Sequence, residues 1–285
     1  MCQKKGKELF VMKVTEHCID CLKGLAGKTI QLSGGSGDLL SYCHTMIDES
    51  HDKGHTPPGI SNKLLKHIRH TTGAYDPYAN AKSKEFEEAG KALTELIALF
   101  PETLEGLLKL SALGNSMDFF TGCSYYTKTE ALKFYGDIDK IEKEIYIKNK
   151  DVLLLGDNVG DFIFDMPLVG FLQDRGKTVY YAVKEHPVQN DLSMADVERF
   201  NLKTLYPDII STGTDEVGLR REEMKGKVKE LWETDAVVIA KGMGNYETLS
   251  EYSGERPVIH IMKVKCPAVS RSAQHETGTY VAILH

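Results

Sequence analysis

The chain has 285 residues, of which 41% are hydrophobic and 27% charged, with a formal net charge of −6. That is enough chain for one large core or two modest ones. The acidic balance argues against a nucleic-acid partner, which needs a basic surface, but leaves room for a small phosphorylated ligand held at a local positive site. No apolar run approaches the ~20 residues that span a bilayer, and the first residues carry no signal-like apolar core. The expectation is a cytoplasmic protein without a membrane partner. Six cysteines in a chain of this length do not make a disulfide framework. Cys18 and Cys21 form a C-x-x-C, but no completing ligand pair lies nearby, so they are read as reduced helix residues rather than zinc ligands.

Residues 15 to 148 show helical spacing and no strand-like run. In "FEEAGKALTELIALF" the residues Phe86, Ala89, Leu93, Leu96, Ile97 and Phe100 form one stripe, ended by Pro101. "LEGLLKLSALGNSMDFF" and "EALKFYGDIDKIEKEI" read the same way. From residue 151 the texture changes. Apolar runs recur at Val152 to Leu155, Val179 to Val183, Ile209 and Ile210, Ala236 to Ala240, and Val258 to Met262. Helical stretches such as "FIFDMPLVGFLQDRG" and "GLRREEMKGKVKELWE" separate them. Short continuous apolar strands alternating with helices predict a parallel sheet covered on both faces. The fold class is therefore α/β: a three-layer, Rossmann-like, mostly parallel sheet (residues 151–285), with an α-helical N-terminal subdomain (residues 1–150) capping its cleft.

Ligands of open parallel sheets bind beyond the carboxyl ends of the strands, so the residues that follow each strand matter most. They are Gly156-Asp157-Asn158 with Asp161, then Lys184 with Asn190 and Asp191, then "STGTDEVG", then Lys241 with Gly242, Gly244 and Asn245, and last "KVKCP". Acids and amides are hard oxygen ligands suited to Mg²⁺ or Mn²⁺. Lysines beside glycine amides suit phosphate. Taken singly each has a plain alternative: Asp157 as a helix N-cap, Lys241-Gly242 as a turn, Lys184 as a surface charge. Together they describe a metal-assisted phosphate site.

In order along the chain, these stretches resemble the damage-control phosphatase family. "GDNVGDFIFD" resembles its D-N-x-G-E-x-x-x-D motif, "LSALGNSMDF" its G-N-x-x-D-F element, "YAVKEHPVQNDLSMAD" its V-K-x-x-P-x-x-N-D element and "KGMGNYETL" its K-G-x-G-N-x-E-x-L element. "DPYANAK", "KVKCPAVS", Gly278 and the N-terminal C-x-x-C-L complete the series. One departure is visible, since Asp161 stands where the family has Glu. The resemblance implies a divalent-metal-dependent phosphatase of small phosphorylated metabolites (sugar phosphates, nucleotides or damaged cofactor phosphates), served by Mn²⁺, Co²⁺, Ni²⁺ or Mg²⁺. It implies Asp157, Asn158 and Asp191 as metal ligands, and Lys241 as a phosphate contact with its ammonium at the cleft mouth. It further implies Gly242, Gly244, Asn245 and Lys184 around the substrate, and Asn115 and Asp118 reaching the cleft from the helical part. Asp157, Asp161 and Lys241 form the implied catalytic set; attack by a water oriented by Asp161 or Asp191 and a phospho-aspartate intermediate both stay open. Two other readings stay open. A Rossmann-like carboxyl methyltransferase would need no Asp-Asn-Asp set, and "GDNVGD" lacks a G-x-G-x-x-G turn. A non-catalytic metal-binding module would need neither Lys241 nor the glycine amides.

Overall fold

The computed structural model describes residues 14–51, 56–116, 132–147, 151–252 and 254–285. Its centre is a seven-stranded sheet in the order β1-β7-β6-β5-β2-β3-β4. Five strands run parallel: β2 (Asp151–Leu155), β3 (Thr178–Val183), β4 (Ile209–Ser211), β5 (Val237–Lys241) and β6 (Ile259–Lys263). Each lies within one residue of the run expected from sequence. Alternation along β2 explains why both faces are covered. Val152 and Leu154 pack into one apolar cluster, Leu153 and Leu155 into another, and all four are buried. Burying side chains of this size stabilises by roughly 1.5–3 kcal/mol each.

Two strands depart from the expectation. β7 (Tyr280–Leu284) runs antiparallel to β6, and β1 (Phe134–Gly136) pairs parallel with β7 at the sheet edge. The stretch read as one helix around "EALKFYGDIDKIEKEI" is therefore β1 followed by α6 (Ile138–Ile147). Gly136 and Asp137 divide them. A Cβ at Gly136 would lie 2.6 Å from the Ile138 side chain, and Asp137 N–H donates to Ala282 of β7 at 2.9 Å. Sheet pairing overrides the local helical spacing here.

The helices over the first face are α4 (Ala79–Leu96), α5 (Leu104–Gly114), α6 and α7 (Val159–Gln173). Over the second lie α10 (Gly226–Glu233), α11 (Gly242–Leu249) and α12 (Pro267–Ala273). Ile97, expected on the α4 stripe, falls in a 3₁₀ turn beyond that helix and is exposed. "GLRREEMKGKVKELWE" is helical only over α10, with a 3₁₀ turn at Arg221–Glu223 before it. The connections after β3 and β4 carry the short helices α8 (Met194–Arg199) and α9 (Leu202–Leu205).

One apolar cluster joins Ala89, Leu107 and Ile141 to Val152 and Leu154, so α4 to α6 pack as a layer of the α/β body. α1 (Glu16–Leu32), α2 (Gly37–His51) and α3 (Pro57–Thr72) have their own core, built on Leu22, Ala26, Ile47, Ile60, Leu64 and Ile68. This unit sits on the loops that follow β3 and β4. Val188 and Val217 enter its core. Asn62 accepts from Val217 N–H at 2.7 Å, and Arg69 and Lys66 pair with Asp215 and Glu216 at 2.7 and 2.6 Å. Cys18 and Cys21 both lie on α1, one buried and one exposed. Among the described residues no helix is long and apolar enough to cross a membrane.

Candidate active site

β2 delivers Asp157 just past its end, after Gly156, where the chain turns into α7. Asn158 occupies the N-cap position of α7 but makes no side-chain cap bond. The N-cap position, the plain alternative for Asp157, is thus taken by Asn158. The orphan amide of Gly160 is satisfied instead from outside, by Glu85 of α4 at 3.0 Å. Leaving β3, the chain turns back through Gln189 in a left-handed conformation (φ 46°). Asp191 then pairs with Asn158 in an isolated antiparallel bridge, and Leu192 N–H donates to Asp157 O at 2.9 Å. Two strand exits far apart in sequence thus bring Asp157, Asn158 and Asp191 together.

Asn115 enters from the C-terminal end of α5. Its amide nitrogen donates to Asp157 Oδ2 at 2.9 Å and to Asp161 Oδ2 at 3.1 Å, and its carbonyl oxygen accepts from Lys263 N–H at 3.1 Å. It ties β6, the Asp157 loop and α7 together. Asp118, its expected companion, lies outside the described residues.

Lys241 departs from the expectation. Its ammonium does not reach the cleft mouth; the residue is fully buried below it. The nitrogen meets Asp165 at 2.7 Å, Asp161 at 3.2 Å, and the Ser111 carbonyl and hydroxyl at 2.6 and 2.8 Å. Three ammonium protons are thereby spent on protein acceptors. Burial pulls this ammonium down, but Asp165 and Asp161 outweigh it and hold it above its ordinary value. Asp165 also accepts from Ser111 at 2.6 Å and from Tyr181 at 2.9 Å. Asp161 is likewise fully buried, where its carboxylate meets Asn115 and Lys241.

The other expected residues hold backbone close to the carboxylates. Lys184 is buried, donates to Gly218 O at 2.8 Å and stands 3.7 Å from Asp191. Gly242 (φ 75°) lies so near Asp157 that a Cβ there would fall 1.8 Å from its carboxylate oxygen; only glycine fits. Gly244 packs against Gly218, the nearest atom to its missing Cβ being 3.1 Å away on Val217. Asn245 donates to Lys241 O at 2.8 Å and Gly156 O at 3.3 Å, fastening β5 to β2 at their ends. The helix N-termini of α7 and α11 both meet this edge, and their partial positive charge favours anions there.

The electrostatics follow. Burial pushes the Asp157 carboxyl well above the usual carboxylate range, with Asp191 and Asp161 adding to it; Lys265 and Lys184 oppose the shift without overcoming it. Asp191 is raised as well, by burial, against Lys184 and Lys82. Crowded carboxylates whose ionised forms repel one another suit a multivalent cation. The set is two carboxylates and an amide. Among the described residues no three His, Cys, Asp or Glu side chains converge as a metal cluster. An octahedral hard cation that keeps several waters fits such a sparse set.

Sequence reasoning missed Glu85, Ser111, Asp165, Tyr181 and Lys265 as parts of the site. Asp165 had a signal, because it lies four residues after Asp161 on one helix and so on the same face. Lys265 had a weaker one, as the second lysine of "KVKCP". Glu85 and Ser111 had none, since both sit inside amphipathic helices whose spacing explains them without a site.

A mostly parallel α/β sheet with acids and amides at two neighbouring strand exits, beside two helix N-termini, is an arrangement suited to phosphate chemistry. The chain belongs to the damage-control phosphatase ARMT1-like domain family, whose profile matches residues 14–281. A damage-control phosphatase of Pyrococcus horikoshii is 28% identical over 283 residues, covering 95% of this chain and 98% of that one. A damage-control phosphatase of Archaeoglobus fulgidus is 23% identical, covering 95% and 99%. The crystal structure of a DUF89 family protein from Pyrococcus horikoshii superposes with a TM-score of 0.80 at 26% identity, over 95% of this chain and 99% of that one. Family membership supports a phosphatase.

Proposed function

We propose that this chain is a divalent-metal-dependent phosphatase of small phosphorylated metabolites, with Asp157, Asn158 and Asp191 as the protein ligands of the metal. The observation that carries the reading is the bridge between Asn158 and Asp191, which sets two raised carboxylates side by side at neighbouring strand exits. Mn²⁺, Co²⁺, Ni²⁺ or Mg²⁺ bound there would neutralise phosphate charge and acidify a water. Asn115 holds the Asp157 carboxylate in place, and Gly242 lets the α11 backbone approach it. Lys241 supports this arrangement from beneath by fixing Asp161 and Asp165. The phosphate's organic cation is assigned to Lys265, half-buried on the loop after β6, whose charge acts on both Asp157 and Glu85.

The test is a panel of sugar phosphates, nucleotides and cofactor fragments, assayed after EDTA and again with each metal restored. Activity should vanish with EDTA and return with metal. Asp157→Ala should cost on the order of 10²–10³ in rate, the scale for losing one preorganised charge-stabilising group, while the fold persists. Full turnover in EDTA would overturn the reading. Metal binding without turnover on any phosphate ester would favour the non-catalytic module, and methyl-donor binding the methyltransferase.

A further inference from the structure

Asp157 and Asp191 come from different strand exits, so a shared ligand needs those exits held at a fixed separation. Backbone pairing supplies part of the restraint: besides the Asn158–Asp191 bridge, Val159 N–H donates to Asn190 O at 3.1 Å. The rest comes from a side chain of neither loop. Glu85 spends one carboxylate oxygen on Gly160 N–H at 3.0 Å and the other on Asn190 Nδ2 at 3.1 Å. It is 4% exposed. One carboxylate thus caps the first turn of α7 and holds the residue before Asp191.

The position of Glu85 is itself fixed. One turn earlier on α4, Lys82 is fully buried between Asp196 at 2.9 Å and Asp76 at 3.4 Å. Asp196 in turn closes the capping box of α8 with Ser193. One residue after Glu85, Phe86 stacks on Phe200 with ring centroids 4.3 Å apart. Glu85 therefore reaches the loops from a rigid helix. Both of its partners donate to it. Leucine can bond neither, whereas glutamine can accept from Gly160 N–H and donate to Asn190 once that amide is turned.

We propose that Glu85 is a positioning residue that clamps the 157–160 and 190–191 loops at the spacing where Asp157 and Asp191 can share one cation. The proposal rests on the metal-site reading above, and its test separates the two. The first readout is hydrogen exchange of the metal-free protein. In Glu85→Leu the segments 157–162 and 188–192 should exchange about tenfold faster or more, the scale of losing charge-assisted hydrogen bonds, while α10 stays unchanged. Asn190→Ala should speed 188–192 alone. The second readout is Mn²⁺ affinity, which should weaken about 10- to 100-fold in Glu85→Leu, as is usual for residues that orient metal ligands. Glu85→Gln should stay close to wild type, because its amide keeps the Gly160 bond and a turned Asn190 amide restores the second. Unchanged exchange and unchanged Mn²⁺ affinity in folded Glu85→Leu would overturn the clamp. Should that variant fail to fold, the same unchanged values in Asn190→Ala would overturn it. A wild-type protein that binds no Mn²⁺ would sink the metal-site reading, and exchange alone would then decide the clamp.

Discussion

Four aspartates crowd the ends of β2 and β3 and the first turns of α7, and they form two unlike pairs. The inner pair, Asp161 and Asp165, is closed: Lys241 lies between them, and Ser111, Tyr181 and Asn115 supply further donors. The outer pair, Asp157 and Asp191, lies at the sheet edge with carboxyls raised by burial and, for Asp157, by Asp191 itself; burial raises Asp165 of the inner pair as well. A buried carboxylate without adequate counter-charge is costly and persists where a ligand completes it. Residue type does not separate the pairs. Their partners do: the inner acids are met by Lys241, Ser111, Tyr181 and Asn115, whereas the outer acids are the ones proposed above as metal ligands.

Breaking the inner pair should give the largest effect. Lys241→Met strands two buried carboxylates, which typically costs about 3–5 kcal/mol. Urea unfolding should show a loss of that size, whereas a solvated turn lysine would show almost none. A smaller effect comes from a buried titratable group outside both pairs. His260, on β6, is fully buried with neither ring nitrogen partnered, and it packs edge-on against Tyr246 and His285. Burial, with His285 adding to it, lowers its pKa from 6.5 to about 3. A folded pKa below the unfolded one gives stability that is present above pH 6.5 and lost as pH falls toward 3. Between pH 7 and pH 4 wild type should lose about 3 kcal/mol more than His260→Phe. Equal losses would show that His260 takes up a proton in the fold. The smallest effect sharpens the contrast by its sign. Asp157→Asn removes a repelled charge, so the metal-free variant should be about 1 kcal/mol more stable than wild type, a Tm gain of a few degrees. A clear Tm loss would place Asp157 with the inner pair.

The five parallel strands were legible to within a residue because each is a short continuous apolar run with a polar exit. β7 was not read as a strand at all, although "YVAIL" is a short apolar run like the others, and nothing in that run tells which way it pairs. β1 is three residues long and sits beside helical spacing, so only its pairing with β7 reveals it. That Asp157, Asn158 and Asp191 share one sheet edge was legible because the first two closely follow β2 and the third lies in the connection that leaves the neighbouring β3. The inner pair was misread at Lys241: the position past a strand end says which edge a residue occupies, not whether its side chain turns out to solvent or down into the body. That choice was made by Asp165 and Ser111, which belong to helices elsewhere in the chain.

If the outer carboxylates hold a cation and the inner ones do not, titrating metal-free protein with Mn²⁺ while following free Mn²⁺ by electron paramagnetic resonance should show one Mn²⁺ bound per wild-type chain. Binding should weaken by about 100-fold or more in Asp157→Asn, since a direct ligand should matter at least as much as the groups that orient it. A wild-type protein that binds no Mn²⁺, or an Asp157→Asn variant that binds it as tightly as wild type, would rule out a cation site at the outer pair.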